Sequence, residues 1–172
     1  MGAHDFFIRL WWVIALVFMQ VLFFNNICFL GYATPMAYVY ILCLLPQDLS
    51  RNAWLLWGFM TGLCVDCFSE TPGLCAASMT VTAMLAPWMM SLFAPKDDLE
   101  EKHGVLSLKE SAGRRYAVLM VLFHHAVYVL LEVFSFFHPL HMLYTWAGSC
   151  VLTLMIIFAF SHLKRKKRVV AK

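Results

Sequence analysis

The chain has 172 residues, 62% of them hydrophobic and only 13% charged, with a mean hydropathy of +0.75. A soluble domain carries about 25% charged and about 45–50% apolar residues, so water is not the solvent for most of this surface. The formal net charge of +3 is gathered in a few clusters and gives no reason to expect a nucleic-acid partner.

The apolar residues come in long blocks rather than in the alternation of half-buried elements. They predict an all-α, polytopic membrane bundle of six transmembrane helices that uses the whole chain, 1–172, as one domain. The first span is expected over 10–30. It follows a single basic residue, Arg9, and no small-x-small cleavage pattern comes after it, so it reads as an uncleaved helix. Asn25 and Asn26 interrupt its far end. The second span, 35–45, and the third, 54–68, fall short of the ~20 residues that cross a ~30 Å hydrocarbon core. Either these boundaries are tight, or each helix meets polar protein or water at one end. The fourth span covers 73–93 and contains Pro87, a kink signal. The fifth and sixth cover 116–137 and 140–160.

Between the fourth and fifth spans, the loop 94–115 carries five acids and five bases, acids leading. That order suits a short helix at the membrane surface with a complemented macrodipole, and the loop reads either as a solvated connector or as a docking surface for a cytoplasmic partner. The tail 161–172 is a basic juxtamembrane cluster, read as a topology signal and an attraction to anionic membrane lipids. Six spans with both termini in the cytoplasm put all 13 Lys and Arg residues on the inner side. None falls in the outer loops 31–34, 69–72 and 138–139, as the positive-inside rule requires.

Polar groups within the spans gather toward the outer half of this bundle. Asp66 lies near the outer end of the third span and Glu70 just beyond it. His125, Tyr128, Glu132 and Ser135 share one face of the fifth at ~100° per residue, with His124 at its edge. Asp66 is expected to accept hydrogen bonds from Asn25 or Asn26, from a neighbouring hydroxyl, or from the amides opening the fourth helix. That opening reads as Thr71 at the N-cap, Pro72 at the first helical position and Gly73 allowing close approach. The cluster admits three roles: stapling helices, forming an outward ligand or partner site, or moving protons through Glu132 and His125. The last would need groups across the whole membrane, and the inner half offers none.

Cys64 and Cys67 form a C-x-x-C pair. A zinc site needs four ligands and the second half is missing. A membrane thiol oxidase needs a second, loop-borne pair, and the outer loops contain no cysteine. The other cysteines stand singly in apolar spans, where cysteine acts as a small hydrophobe. No catalytic residues, metal site or cofactor follow from these residues.

The stretch "GFMTGLCVDCFSETPGLCAASMTVTAMLAPWM" resembles the signature region of the rod shape-determining protein MreD family, with Gly62, Asp66 and Gly73 on its motif positions. Upstream, "GYATPMAYVYILCLLP" resembles the family's second helix, which a proline starts, here Pro35. The chain departs from the pattern at Cys64 and Cys67, where aliphatic residues are usual, and in its longer charged loop. The resemblance implies a non-enzymatic scaffold in the bacterial inner membrane, part of the machinery of cell elongation and peptidoglycan synthesis. The implied partners are MreC and, through it, the actin-like MreB and the polymerase RodA with its transpeptidase. It also implies an architecture similar to the substrate-binding components of ECF vitamin transporters, six helices around an outward cavity. Such a transporter component is the alternative function. Such components usually carry small residues four apart on the first helix for docking an energising partner; here Ala15 is followed by Met19 and preceded by Trp11, which makes that surface bulky.

Overall fold

The computed structural model describes residues 3–25, 33–46, 49–69, 71–93, 110–132 and 139–170. These are helical almost throughout, with no β-strand among them. The elements are α1 (Ala3–Met19), which continues into a π-turn at Gln20–Phe24, a 3-10 turn (Ala37–Val39) leading into α2 (Tyr40–Leu44), α3 (Arg51–Ser69), α4 (Leu74–Ser91), α5 (Glu110–Glu132) and α6 (Pro139–Val170). Four stretches are long and apolar enough to cross a membrane: Phe6–Phe24, Leu74–Ser91, Ala112–Glu132 and Leu140–His162. Large apolar side chains such as Phe7, Trp11, Phe18, Leu143 and Met155 are exposed on α1 and α6, as a lipid-facing surface requires. This is a membrane protein.

The third expected span is the 19-residue α3, long enough to cross but not apolar enough by composition, because Arg51, Asn52, Thr61, Asp66 and two glycines lower its hydropathy. Its outward face still presents Leu56, Phe59, Met60, Leu63 and Phe68. The loop expected over 94–115 is shorter than that, since α5 already begins at Glu110. α4 runs through Pro87 as one helix.

The second expected span is corrected. Instead of a helix over 35–45, the chain is irregular to Met36, turns once as 3-10, and forms only five residues of α-helix. These eight helical residues rise about 12 Å, far short of a bilayer. The physical cause at the far end is Pro46. The residue before a proline is pushed out of the α region, and Leu45 is extended at φ −70°, ψ 137°. The segment is also enclosed: Ala37, Val39, Ile41 and Leu42 are fully buried.

Direction follows from contacts at the two ends of α1. Near its start, the Phe6 and Trp57 rings lie 5.5 Å apart; at its finish, Asn25 bonds Ser69. Thus α1 and α3 lie side by side and parallel, and the chain between them returns through the middle of the bundle. On the way, Met36 N–H meets Thr153 on α6 and the Leu42 carbonyl meets the Tyr116 hydroxyl on α5. The most extensive helix pairing is α3 on α4.

Candidate functional site: the Asp66 clamp and the buried histidine network

Gly58, Gly62 and Asp66 recur every four residues and so form one stripe along α3. A Cβ on Gly58 would lie 2.7 Å from the Cβ of Ala83, and one on Gly62 would lie 2.5 Å from the Cys75 carbonyl oxygen and 2.6 Å from the Ala76 Cα. Only glycine lets the two backbones come this close, the small-xxx-small mode of helix pairing in membranes. One turn further on, the approach has a purpose. Asp66, 5% exposed, accepts the Cys75 N–H on Oδ1 at 2.9 Å and the Ala76 N–H on Oδ2 at 2.8 Å. The Thr71 hydroxyl donates to Oδ1 at 2.9 Å. The carboxylate therefore caps α4 from the preceding helix, where the unpaired first-turn amides and the helix dipole favour an anion.

This corrects the expected cap. Gly73 holds the N-cap position, with no side-chain cap bond, and the Thr71 hydroxyl serves the carboxylate instead of an amide. Thr71–Leu74 form a type II turn: Leu74 N–H bonds the Thr71 carbonyl at 3.3 Å, and Gly73 sits at φ 80°, ψ −3°. Pro72 takes the second position, which its fixed φ suits, and Gly73 the third, which needs positive φ. Close approach, expected at Gly73, belongs to Gly62; a Cβ on Gly73 would meet nothing within 4 Å.

Asn25 does not reach Asp66. Its amide donates to Ser69 Oγ, and it accepts from Gln20 Nε2 at 3.1 Å, tying the end of α1 to the end of α3. Asn26, Glu70 and Ser135 lie outside the described residues. Glu132 ends α5 with an exposed side chain, and no hydrogen bond joins it to Asp66 or His125 among the described residues.

His125 belongs to a second, deeper cluster, with His124, and both rings are fully buried. His125 Nδ1 lies 2.9 Å from the Val121 carbonyl and Nε2 lies 3.1 Å from Thr153 Oγ1. A carbonyl only accepts, so Nδ1 carries the proton and Nε2 accepts from the Thr153 hydroxyl. The same oxygen accepts the Met36 N–H at 2.9 Å. His124 repeats the logic. The Thr82 hydroxyl donates to the Ser78 carbonyl at 2.7 Å, so its oxygen accepts from His124 Nδ1 at 3.3 Å. The Tyr38 hydroxyl lies 3.1 Å from Nε2 and 3.5 Å from Met36 Sδ. These bonds place a proton on Nδ1 in both imidazoles.

The network's other members hold the non-helical chain between α1 and α2. Gln20 donates to the Pro35 carbonyl at 3.0 Å and accepts the Ala37 N–H at 2.8 Å, while Ser149 accepts the Thr34 N–H at 3.1 Å. Irregular backbone at membrane depth persists only where protein satisfies it. The π-turn at Gln20 aims this side chain inward, and Asn25 N–H closes the turn on the Gln20 carbonyl at 2.8 Å.

Chemically, the Asp66 oxygens are occupied by three donors and all four imidazole nitrogens have partners. Both clusters are built to hold helices in register. No group of three or more His, Cys, Asp or Glu among the described residues is arranged to hold a metal. Cys64 and Cys67 are exposed and free, whereas Cys43, Cys75 and Cys150 are buried. Sequence reasoning missed Gly58, although Gly58 and Gly62 spell G-x-x-x-G. It also missed Gln20, Tyr38, Thr82, Ser149 and Thr153, whose roles depend on an unwound segment that no periodicity announces. Comparison with protein-family models, curated proteins and solved structures returned no match.

Proposed function

We propose that this chain is a non-enzymatic scaffold subunit of the bacterial inner membrane that binds MreC in the cell-elongation complex, and through it works with MreB, RodA and the transpeptidase. The observation that carries this reading is that its motif residues form one physical unit. Gly62 brings the α4 backbone close, Asp66 binds the amides so exposed, and Gly73 makes the turn between them. The result is a helix corner whose carboxylate is held by three donors, suited to presenting a surface.

The topology proposed with it is six passes with both termini cytoplasmic. The second pass is the buried, broken segment returning between the parallel α1 and α3. Arg9, Arg51, Arg114 and Arg115 then lie toward one end and the Asp66 turn toward the other, in keeping with the positive-inside rule.

One observation favours the second reading, a transporter's substrate-binding component. A short, broken helix enclosed within the bundle, with its backbone met by Gln20, Ser149 and Thr153, is the kind of element from which transporters build binding sites. The test is recovery of the tagged full chain from native membranes. Co-recovered MreC supports the scaffold. A tightly held vitamin-like molecule, with no MreC, supports the transporter.

A further inference from the structure

Arg9 lies one turn inside the apolar stretch Phe6–Phe24 and belongs to neither polar cluster. Arg9, Val13, Leu16 and Gln20 follow the i, i+4, i+7, i+11 spacing that keeps side chains on one helix face. Val13, Leu16 and Gln20 are buried, so Arg9 lies on the stripe that α1 turns toward the bundle. Its side chain is half-buried, and Nη1 is sealed from solvent with no hydrogen-bond partner. Among the described side chains the carboxylates are those of Asp66 and Glu132. The first is held by Thr71 and the α4 amides, and the second stands exposed at the finish of α5. A guanidinium left without an anion at this depth is costly, and such groups pair or reach back to the interface. Helical side chains lean toward the helix N-terminus, so Arg9 reaches toward the start of α1, the end where Arg51, Arg114 and Arg115 also gather.

We propose that Arg9 binds the phosphate of an anionic membrane lipid, which supplies the acceptor that its enclosed nitrogen lacks. The planar fork of a guanidinium matches two phosphate oxygens, and a lipid phosphate lies where a side chain leaning out of the hydrocarbon region meets the head groups. The flank beside Arg9 suits the rest of the molecule. Phe6, Leu10 and Ile14 lie roughly 60° to 140° around the helix from Arg9 and are exposed, an apolar path for an acyl chain. Phe6 is itself fixed against Trp57 of α3 at 5.5 Å, so this flank is held in place. Asp5 precedes Arg9 by one turn, and an ion pair within α1 is the competing explanation. The proposal uses only that the chain is embedded in a membrane and is independent of MreC.

The test uses the purified full chain in mixed micelles of neutral detergent and phosphatidylcholine, with phosphatidylglycerol added stepwise and thermal unfolding read by tryptophan fluorescence. Phosphatidylglycerol is expected to raise the wild-type Tm to a plateau. Arg9→Gln should need about tenfold more lipid for the same rise, the loss of one hydrogen bond to a charged group. Arg9→Lys keeps the charge without the fork and should fall between. Before phosphatidylglycerol is added, Arg9→Gln should be at least as stable as wild type, because the guanidinium then lacks its anion; the two stability curves therefore cross. Arg51→Gln, an exposed cation at the same end, should respond as wild type does. A wild-type response from Arg9→Gln overturns the proposal, and so does an equal loss in Arg51→Gln, which would mean surface attraction alone. Equal destabilisation by Arg9→Gln and Asp5→Asn without phosphatidylglycerol overturns it in favour of the internal ion pair. Inorganic phosphate giving the same shift at the same concentration overturns the assignment to a lipid.

Discussion

Gly62 and Asp66 stand one turn apart on α3 and act on the same two residues of α4. Gly62 admits the backbone of Cys75 and Ala76 to a distance no Cβ would allow, and Asp66 accepts the N–H groups of those residues at 2.9 and 2.8 Å. Neither works alone. Without the glycine the carboxylate is held off the amides, and without the carboxylate the close approach buries two unpaired donors.

Asp66→Ala should therefore destabilise the folded chain by about 1–3 kcal/mol, the cost of leaving buried donors unsatisfied. Asp66→Asn keeps one acceptor oxygen and should lose less. Thermal unfolding in detergent, followed by tryptophan fluorescence, ranks the two. Equal stability of all three chains would show that the clamp contributes nothing.

The two motif glycines should respond differently to alanine. Gly62→Ala drives a methyl into the Cys75 carbonyl and the Ala76 backbone, and should separate α3 from α4. Gly73→Ala meets no atom and incurs only the left-handed backbone strain, about 1–2 kcal/mol. The same unfolding measurement should place Gly62→Ala well below Gly73→Ala. The reverse order would contradict the assigned roles.

Thr153 joins the broken second segment to α5, because its oxygen takes the Met36 N–H while its hydroxyl serves His125. Thr153→Val and His125→Phe should each destabilise the chain, and the double variant should fall short of their sum. A double-mutant cycle should give a coupling of about 0.5–3 kcal/mol, as for residues sharing one network. Strict additivity would mean that the network is not continuous.

Gln20 is the only described side chain that satisfies both the Pro35 carbonyl and the Ala37 N–H. Gln20→Leu keeps the volume and removes both bonds. It should loosen the segment before α2, seen as faster amide hydrogen exchange at Ala37 than in wild type. Unchanged exchange there would remove Gln20 from the account.

The sequence displays the membrane class, the clustering of cations and the importance of Asp66, because each rests on composition or on a lone charge in an apolar run. It also points to amides of the fourth helix as partners of that carboxylate. The unwound second segment is less legible. Pro35 and Pro46 flank it, but its apolar interior reads as an ordinary short span, and only the tertiary partners Gln20, Ser149 and Thr153 make a non-helical path tolerable. For the same reason His125 appears in the sequence as a face-mate of Glu132, while the structure joins it to Thr153. Helical periodicity assigns a residue to a face and does not say which neighbour fills the space opposite.

The central claim is that the Asp66 corner presents the surface a partner docks on. The most direct measurement is the amount of MreC recovered per inserted chain from native membranes, compared between wild type and Asp66→Ala. The account predicts unchanged insertion and a severalfold loss of MreC. Equal recovery of MreC by both chains would contradict it.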